Sequence, residues 1–334
     1  MESILPKLPR RVSIREVGPR DGLQHEDVML TTTQKIALIN GLADAGLRLI
    51  EVGSFVRPTN VPQMADTAAV FAGIIRHPEV RYSAIVPNQV GAQRAVEAGV
   101  DSMQVFLSCS ESHNQSNVNM SIAQSLEQAA SIATTARETG THFEAVLSVV
   151  FGCPFEGDVP IGRVLDISER LIALGVHQLT LGDTTGMAHP WLVQHVMHAF
   201  HEYFPRAIAN GAVPIRLHLH SARGAGLANV LAGLQAGIER YDASVGGIGG
   251  CPFAPGAPGN LCSEDLVHML HEMGIETGID LVALVALAQQ LEGMLGRSVP
   301  GQTIKAGICK HLARDGSVRH NQEETFYAGL QSTL

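Results

Sequence analysis

Ala45-Gly46-Leu47-Arg48-Leu49-Ile50-Glu51-Val52 is the stretch on which the fold turns. Before it, Ile36, Ile39 and Ala43 fall on one helical stripe; the pattern then stops at a glycine suited to the left-handed position past a helix C-terminus. A β-rich run follows within a few residues. The same junction recurs at Ala98-Gly99-Val100 before Met103-Gln104-Val105-Phe106, and at Leu174-Gly175-Val176 before Leu179-Thr180-Leu181. It appears again at Ala236-Gly237-Ile238 before Tyr241-Asp242-Ala243-Ser244-Val245. Further helical stripes are Ile122, Leu126 and Ala129, and Leu227, Leu231 and Leu234. Eight β-rich runs alternate with such segments, near 11–17, 48–53, 81–86, 102–107, 142–150, 178–182, 215–220 and 241–246. Strict alternation predicts parallel strands with helical crossovers. Eight units in about 250 residues predict a (β/α)8 TIM barrel. An open doubly wound sheet is the weaker reading, because no Gly-x-Gly-x-x-Gly follows the first strand. After Cys262 the pattern is helical only. The expected organisation is a catalytic barrel with closing helices over 8–300, then a C-terminal helical tail over 301–334.

Composition narrows the function. The 334 residues are 45% hydrophobic, enough for a large core, and carry a net charge of −9. With no long basic run, nucleic-acid and membrane-surface binding are excluded as readings. Cysteines at 109, 153, 251, 262 and 309 form no Cys-x-x-Cys pair and are odd in number. That pattern suits a reducing compartment and opposes a disulfide framework or a structural zinc site. No signal-peptide pattern opens the chain and no apolar run is long enough to span a bilayer. The expectation is a soluble cytoplasmic protein with neither nucleic-acid nor membrane partners.

Polar residues collect where the strands of a barrel would end. Strand 1 runs into Gly18-Pro19-Arg20-Asp21-Gly22-Leu23-Gln24, and strand 2 ends at Glu51 and leads to Ser54. Strand 5 leads into Gly152-Cys153-Pro154-Phe155-Glu156-Gly157 and strand 6 into Gly182-Asp183-Thr184-Thr185-Gly186. Strand 7 ends in His218-Leu219-His220. A barrel carries its active site at this end. His218 and His220, two apart on a strand, project from one face and make a natural metal pair. Asp21 offers a carboxylate and Asn260 a neutral oxygen. Such a set suits Mg²⁺ or Mn²⁺ and also admits Zn²⁺. Two histidines and a carboxylate equally describe a non-haem Fe(II) oxygenase or a hydrolase. Arg20 reads either as a surface ion pair or as a cation for an oxyanion beside the metal. Glu51 is either its partner or a lone acid lining the barrel. Strand 8 feeds Gly246-Gly247-Ile248-Gly249-Gly250-Cys251-Pro252, a thiol on a loop hinged by glycine and stiffened by Pro252, Pro255 and Pro258. Cys109, Cys262 and Cys309 read as small packing residues, and Cys153 as part of its loop.

These blocks resemble those of 3-hydroxy-3-methylglutaryl-CoA lyase, in order from about residue 11 to 300. The cysteine-loop block carries the most specific part of the likeness; Arg20-Asp21-Gly22 and His218-Leu219-His220 are shared with metal-dependent condensing barrels. The resemblance implies a divalent-metal-dependent lyase that cleaves a 3-hydroxyacyl-CoA into acetyl-CoA and a keto acid, a step of leucine degradation when that acid is acetoacetate. It implies Asp21, His218, His220 and Asn260 as metal ligands, Arg20 at the enolate oxygen, Cys251 in proton transfer and Glu51 orienting Arg20. Gln24, Ser54 and Asp183 would line the site, with coenzyme A entering as part of the substrate and the chain forming a dimer or larger homo-oligomer. One block departs from the family: Ser221-Ala222-Arg223-Gly224 stands where Asp-Thr-Tyr-Gly is usual. An added cation at Arg223 would favour a citramalyl-CoA or methylmalyl-CoA type of substrate, or contact a coenzyme A phosphate. A condensing synthase and an inactive coenzyme A binder are the remaining readings.

Overall fold

A computed structural model describes residues 8–205, 213–250 and 259–309. The strands are β1 (Ser13–Glu16), β2 (Leu49–Ser54), β3 (Arg81–Ile85), β4 (Ser102–Ser108), β5 (His142–Ser148), β6 (Gln178–Gly182), β7 (Ile215–His218) and β8 (Arg240–Ala243). Each pairs in parallel with the next, and β8 pairs with β1, which closes the barrel. Closure leaves no strand edge open for aggregation. The crossovers carry α1 (Thr32–Asp44), α2 (Thr67–Gly73), α3 (Gln89–Glu97), α4 (Glu111–Val118), α5 (Ile122–Thr139), α6 (Ile161–Ala173), α7 (Pro190–Tyr203) and α8 (Gly226–Gln235). Then follow α9 (Ser263–Glu272), α10 (Leu281–Leu295) and α11 (Thr303–Ala306). The expected TIM barrel is therefore the observed one. Among the described residues no helix is long and apolar enough to cross a membrane.

Local chemistry sets the helix limits. Ser121 and Gln124 bond reciprocally as a capping box at the start of α5, and Gly140 ends that helix at φ +69°. Between them Ile122, Leu126, Ala129, Ile132, Ala133 and Ala136 form the buried stripe. They pack with outward-facing strand residues such as Met103, Val105, Phe143 and Ala145 in the shell between barrel and helices. Each fully buried aliphatic or aromatic side chain there stabilises the fold by about 1.5–3 kcal/mol.

The barrel interior is different. Arg15 on β1 donates to Glu144 on β5 (2.8 Å), to Thr180 on β6 (3.2 Å) and to Asp242 on β8 (2.7 and 2.9 Å). β1 and β5 stand opposite each other in an eight-stranded ring, so these bonds cross its centre. Glu51 of β2, Ser83 of β3, Gln104 of β4 and Arg216 of β7 are buried there too. Where such barrels usually stack Val, Ile and Leu, this one carries a polar layer with a side chain from every strand.

Several strands stop short of the sequence-based expectation, and at β7 and β8 this bears on the site. β7 ends at His218, and His220 lies beyond it in an isolated antiparallel bridge to Asn260. β8 ends at Ala243, after which Val245–Gly247 makes a tight turn with Gly246 and Gly247 both at φ +68°. Buried carboxylates hold that turn: Glu16 accepts from the amides of Gly18 and Val245, and Glu264 from that of Gly246. Gly301 donates to the Gly246 carbonyl (3.0 Å), and Asp265 accepts from Gln302 and Thr303. The expected helical tail beyond residue 309 lies outside the described residues.

Candidate active site

Arg20 and Asp21 sit on a single π-helical turn, Gly18–Gly22, that follows β1. The Val17 carbonyl accepts from the amides of both Asp21 (2.7 Å) and Gly22 (3.3 Å), which winds the turn wider than an α-helix. Both side chains are thereby carried over the mouth. Asp21 Oδ1 accepts from Arg20 Nη1 (3.0 Å) and from Gln24 Nε2 (3.0 Å), and Arg20 Nε donates to Glu51. Burial works against the charge on Arg20, but the Glu51 and Asp21 carboxylates outweigh it and raise its pKa. Asp21 resists its own burial chiefly through the Arg20 charge, then that of His218, and stays well below the usual carboxylate range. Burial outweighs Arg20 and Arg15 at Glu51 and raises its pKa.

His218 and His220 face each other across the mouth, with Nε2 atoms 3.1 Å apart and ring centroids 5.1 Å apart. The two imidazoles thus share a face, although only His218 belongs to the strand. Asp21 Oδ2 lies 3.8 Å from His218 Nε2. One ligand atom from each of Asp21, His218 and His220 falls within 4.8 Å of the others. Burial, with His218 alongside, pushes His220 down to about 3, so it is a neutral donor at physiological pH. Two nitrogens facing at hydrogen-bond distance, beside an ionised carboxylate, form a set that a divalent cation completes. Asn260 adjoins it: Nδ2 donates to Asp21 Oδ2 (2.9 Å) and to the Ile248 carbonyl (3.2 Å). A side chain at Gly249, where φ is +120°, would meet Asn260 Nδ2 at 2.4 Å, so only glycine lets the loop pass.

The remaining expected residues are placed less evenly. Ser54 is buried at the end of β2, and its hydroxyl accepts from the Val56 amide (3.4 Å). Asp183 caps the loop after β6 by accepting from the amides of Met187 (2.8 Å) and Ala188 (2.9 Å). Burial pushes its carboxyl up to about 6 against those two bonds. Arg223 turns onto the same loop: Nη1 donates to the carbonyls of Thr185 (2.8 Å) and Gly186 (2.9 Å). Cys251, the expected mobile thiol, lies outside the described residues. Cys109 is buried, and its thiol is pushed up to about 12 by burial. Cys262 is buried too, but its thiol donates to Glu264 (2.7 Å) and so does more than pack. Cys309 is exposed, contrary to the packing role its sequence suggests.

Sequence reasoning missed the support beneath the site. Asp242, Arg15, Glu144 and Arg216 were not singled out, yet Asp242 Oδ2 lies 3.2 Å from His218 Nδ1. The signal was present: a charged residue inside a short apolar barrel strand, at the inward phase of its two-residue repeat.

The HMGL-like family model matches residues 11–291. The hydroxymethylglutaryl-CoA lyase of Bacillus subtilis is 44% identical over 297 residues, covering 89% of this chain and 97% of the relative. A 3-hydroxy-3-isohexenylglutaryl-CoA/hydroxymethylglutaryl-CoA lyase of Pseudomonas aeruginosa is 41% identical, over 91% of this chain and 99% of the relative. The structure of an HMG-CoA lyase from Acinetobacter baumannii, in complex with coenzyme A and 3-methylmalate, matches with a TM-score of 0.85 and 42% identity. That match covers 92% of this chain and 99% of that one. The sequence blocks, the closed barrel and these relatives agree: this chain belongs to the HMGL-like family, among the hydroxymethylglutaryl-CoA lyases.

Proposed function

We propose that this protein cleaves 3-hydroxy-3-methylglutaryl-CoA to acetyl-CoA and acetoacetate, using Mg²⁺ or Mn²⁺ held by Asp21, His218, His220 and Asn260. The observation that carries the reading is the meeting of Asp21 with the two facing imidazoles directly beside the Arg20 guanidinium. A thiolate-free set of two imidazoles, a carboxylate and an amide oxygen suits these cations and also admits Zn²⁺. When bound, the cation supplies Lewis acidity at the substrate's tertiary hydroxyl, lowering its pKa.

The chain's own groups do the rest. The hydroxyl proton leaves toward the Asp21 carboxylate. The carbon–carbon bond then breaks, and its electrons pass to the thioester as an enolate. Arg20, steadied by Glu51 and Asp21, places a fixed positive charge where that oxygen becomes negative. The enolate carbon takes a proton, which we give to Cys251 on the family resemblance of its loop, yielding acetyl-CoA and leaving acetoacetate. Gln24 orients Asp21, while Asp183 and Ser54 shape the surrounding loops.

The block that departs from the family lies against the loop after β6. Arg223 spends its Nη1 on two loop carbonyls. Ala222 lies where a side chain at Gly186 would approach to 2.7 Å. Arg223 therefore fastens the loop after β6, and Ala222 lies against it. The structure bound to coenzyme A and 3-methylmalate supports an acyl-CoA ligand for this chain as well. We place the enzyme in the cytoplasm, as a dimer or larger assembly.

The test is turnover of purified protein with 3-hydroxy-3-methylglutaryl-CoA and Mg²⁺, following acetyl-CoA. Activity only on a citramalyl- or malyl-CoA overturns the substrate; oxygen uptake overturns the class. Cys251→Ser is expected to keep Mn²⁺ affinity and lose about 10²–10⁴ in kcat, as removal of a general acid does. An unchanged kcat removes the thiol from the reaction.

A further inference from the structure

Asp242 bears on the histidine pair from beneath the mouth. β1 and β8 set it in register with Arg15, which donates from Nε to Oδ1 (2.9 Å) and from Nη2 to Oδ2 (2.7 Å). Arg216 Nε lies 3.6 Å from Oδ1. Oδ2 also lies 3.2 Å from His218 Nδ1, while the other nitrogen of that ring faces His220 and Asp21. A carboxylate gripped by two guanidinium N–H groups carries no proton of its own, so it can only accept from the imidazole. Nδ1 of His218 therefore holds a hydrogen, and Nε2 is the nitrogen left to offer its lone pair to a cation.

We propose that Asp242, held by Arg15, is a positioning residue that fixes the His218 tautomer and aims Nε2 at the cation site. The consequence for metal binding rests on the function proposed above; the tautomer does not. Asp242→Asn breaks the arrangement without changing its shape. With its single oxygen on Arg15, its amide N–H₂ faces Nδ1 and draws the ring into the Nε2–H form, which points a hydrogen at the cation site. With the oxygen on His218, a donor faces the Arg15 guanidinium instead.

The experiment measures Mn²⁺ binding to the full-length protein by electron paramagnetic resonance. Asp242→Asn is expected to weaken it about 10–100-fold. Glu144→Gln alters the other carboxylate on Arg15, in the same buried layer, and is expected to bind Mn²⁺ as the wild type does. Wild-type affinity in Asp242→Asn, or equal weakening in both variants, overturns the proposal. Ring nitrogen shifts of His218 in metal-free wild-type protein, assigned by their loss in His218→Asn, give a second reading. Hydrogen on Nδ1, with or without one on Nε2, supports the proposal and hydrogen on Nε2 alone overturns it, whether or not Asp242→Asn folds. Wild-type protein that binds no Mn²⁺ would sink the metal reading and leave the tautomer result to decide this one.

Discussion

Two charged clusters are stacked inside one barrel, and they differ in what they lack. The lower holds Arg15, Arg216, Glu144 and Asp242, two cations against two anions, with side chains 2–8% exposed. The upper holds Arg20, Glu51 and Asp21 with two imidazoles; Arg20, Asp21 and His218 are 13–16% exposed. In the lower cluster every carboxylate faces a guanidinium. In the upper, nitrogen faces nitrogen and one more formal negative charge than positive surrounds the gap. Such a set of buried pairs, loose only at Arg216 Nε, holds a barrel together and offers little to a ligand. An open set is less stabilising and can bind. His218 belongs to both, with one ring nitrogen in each.

The sharpest break of this comparison is at the open cluster. A chelator, or His220→Ala, should abolish turnover while the melting temperature stays within a few degrees, and Mg²⁺ or Mn²⁺ should restore the chelated wild type alone. Turnover indifferent to chelator would make the upper cluster as closed as the lower. Next in size, Arg20→Gln should lower kcat about 10²–10³-fold, the usual loss when an oxyanion loses its donor. A change confined to KM would show that Arg20 only binds.

The lower cluster should answer in stability. Arg15→Met strands Glu144 and Asp242 as buried charges and should cost about 3–5 kcal/mol in denaturant unfolding. A loss under 1 kcal/mol would mean that the layer is already wet or loosely paired. The smallest effect sharpens the picture at the base of the cysteine loop. Burial, with Glu16 close by, pushes the Glu264 carboxyl up to about 8, against hydrogen bonds from Cys262 and Gly246. A carboxyl that binds its proton more tightly when folded stabilises at low pH, so stability should fall as pH rises from about 4.5 to 8. Glu264→Gln should flatten that slope in melts across the range; an unchanged slope assigns it to other groups.

Much of the site could be read from residues taken singly. Asp21, His218 and His220 stand out because imidazole and carboxylate at strand ends are chemically conspicuous, and the structure brings them together. Arg223 was equally conspicuous, but its guanidinium lies on the carbonyls of Thr185 and Gly186. Its orientation depends on a loop more than 35 residues away in the chain, which no local pattern encodes. Asp242 was passed over for the same reason: its partners Arg15 and His218 come from other strands.

The chain alone determined the eightfold alternation, because a glycine-stopped helix followed by a β-rich run is a local event, decided by backbone conformation and apolar spacing. Only the closed barrel decided which charges meet. Closure brings Arg15 of the first strand to Asp242 of the last, and a bridge beyond β7 sets His220 against Asn260. Long-range electrostatics depends on distances that sequence order does not contain.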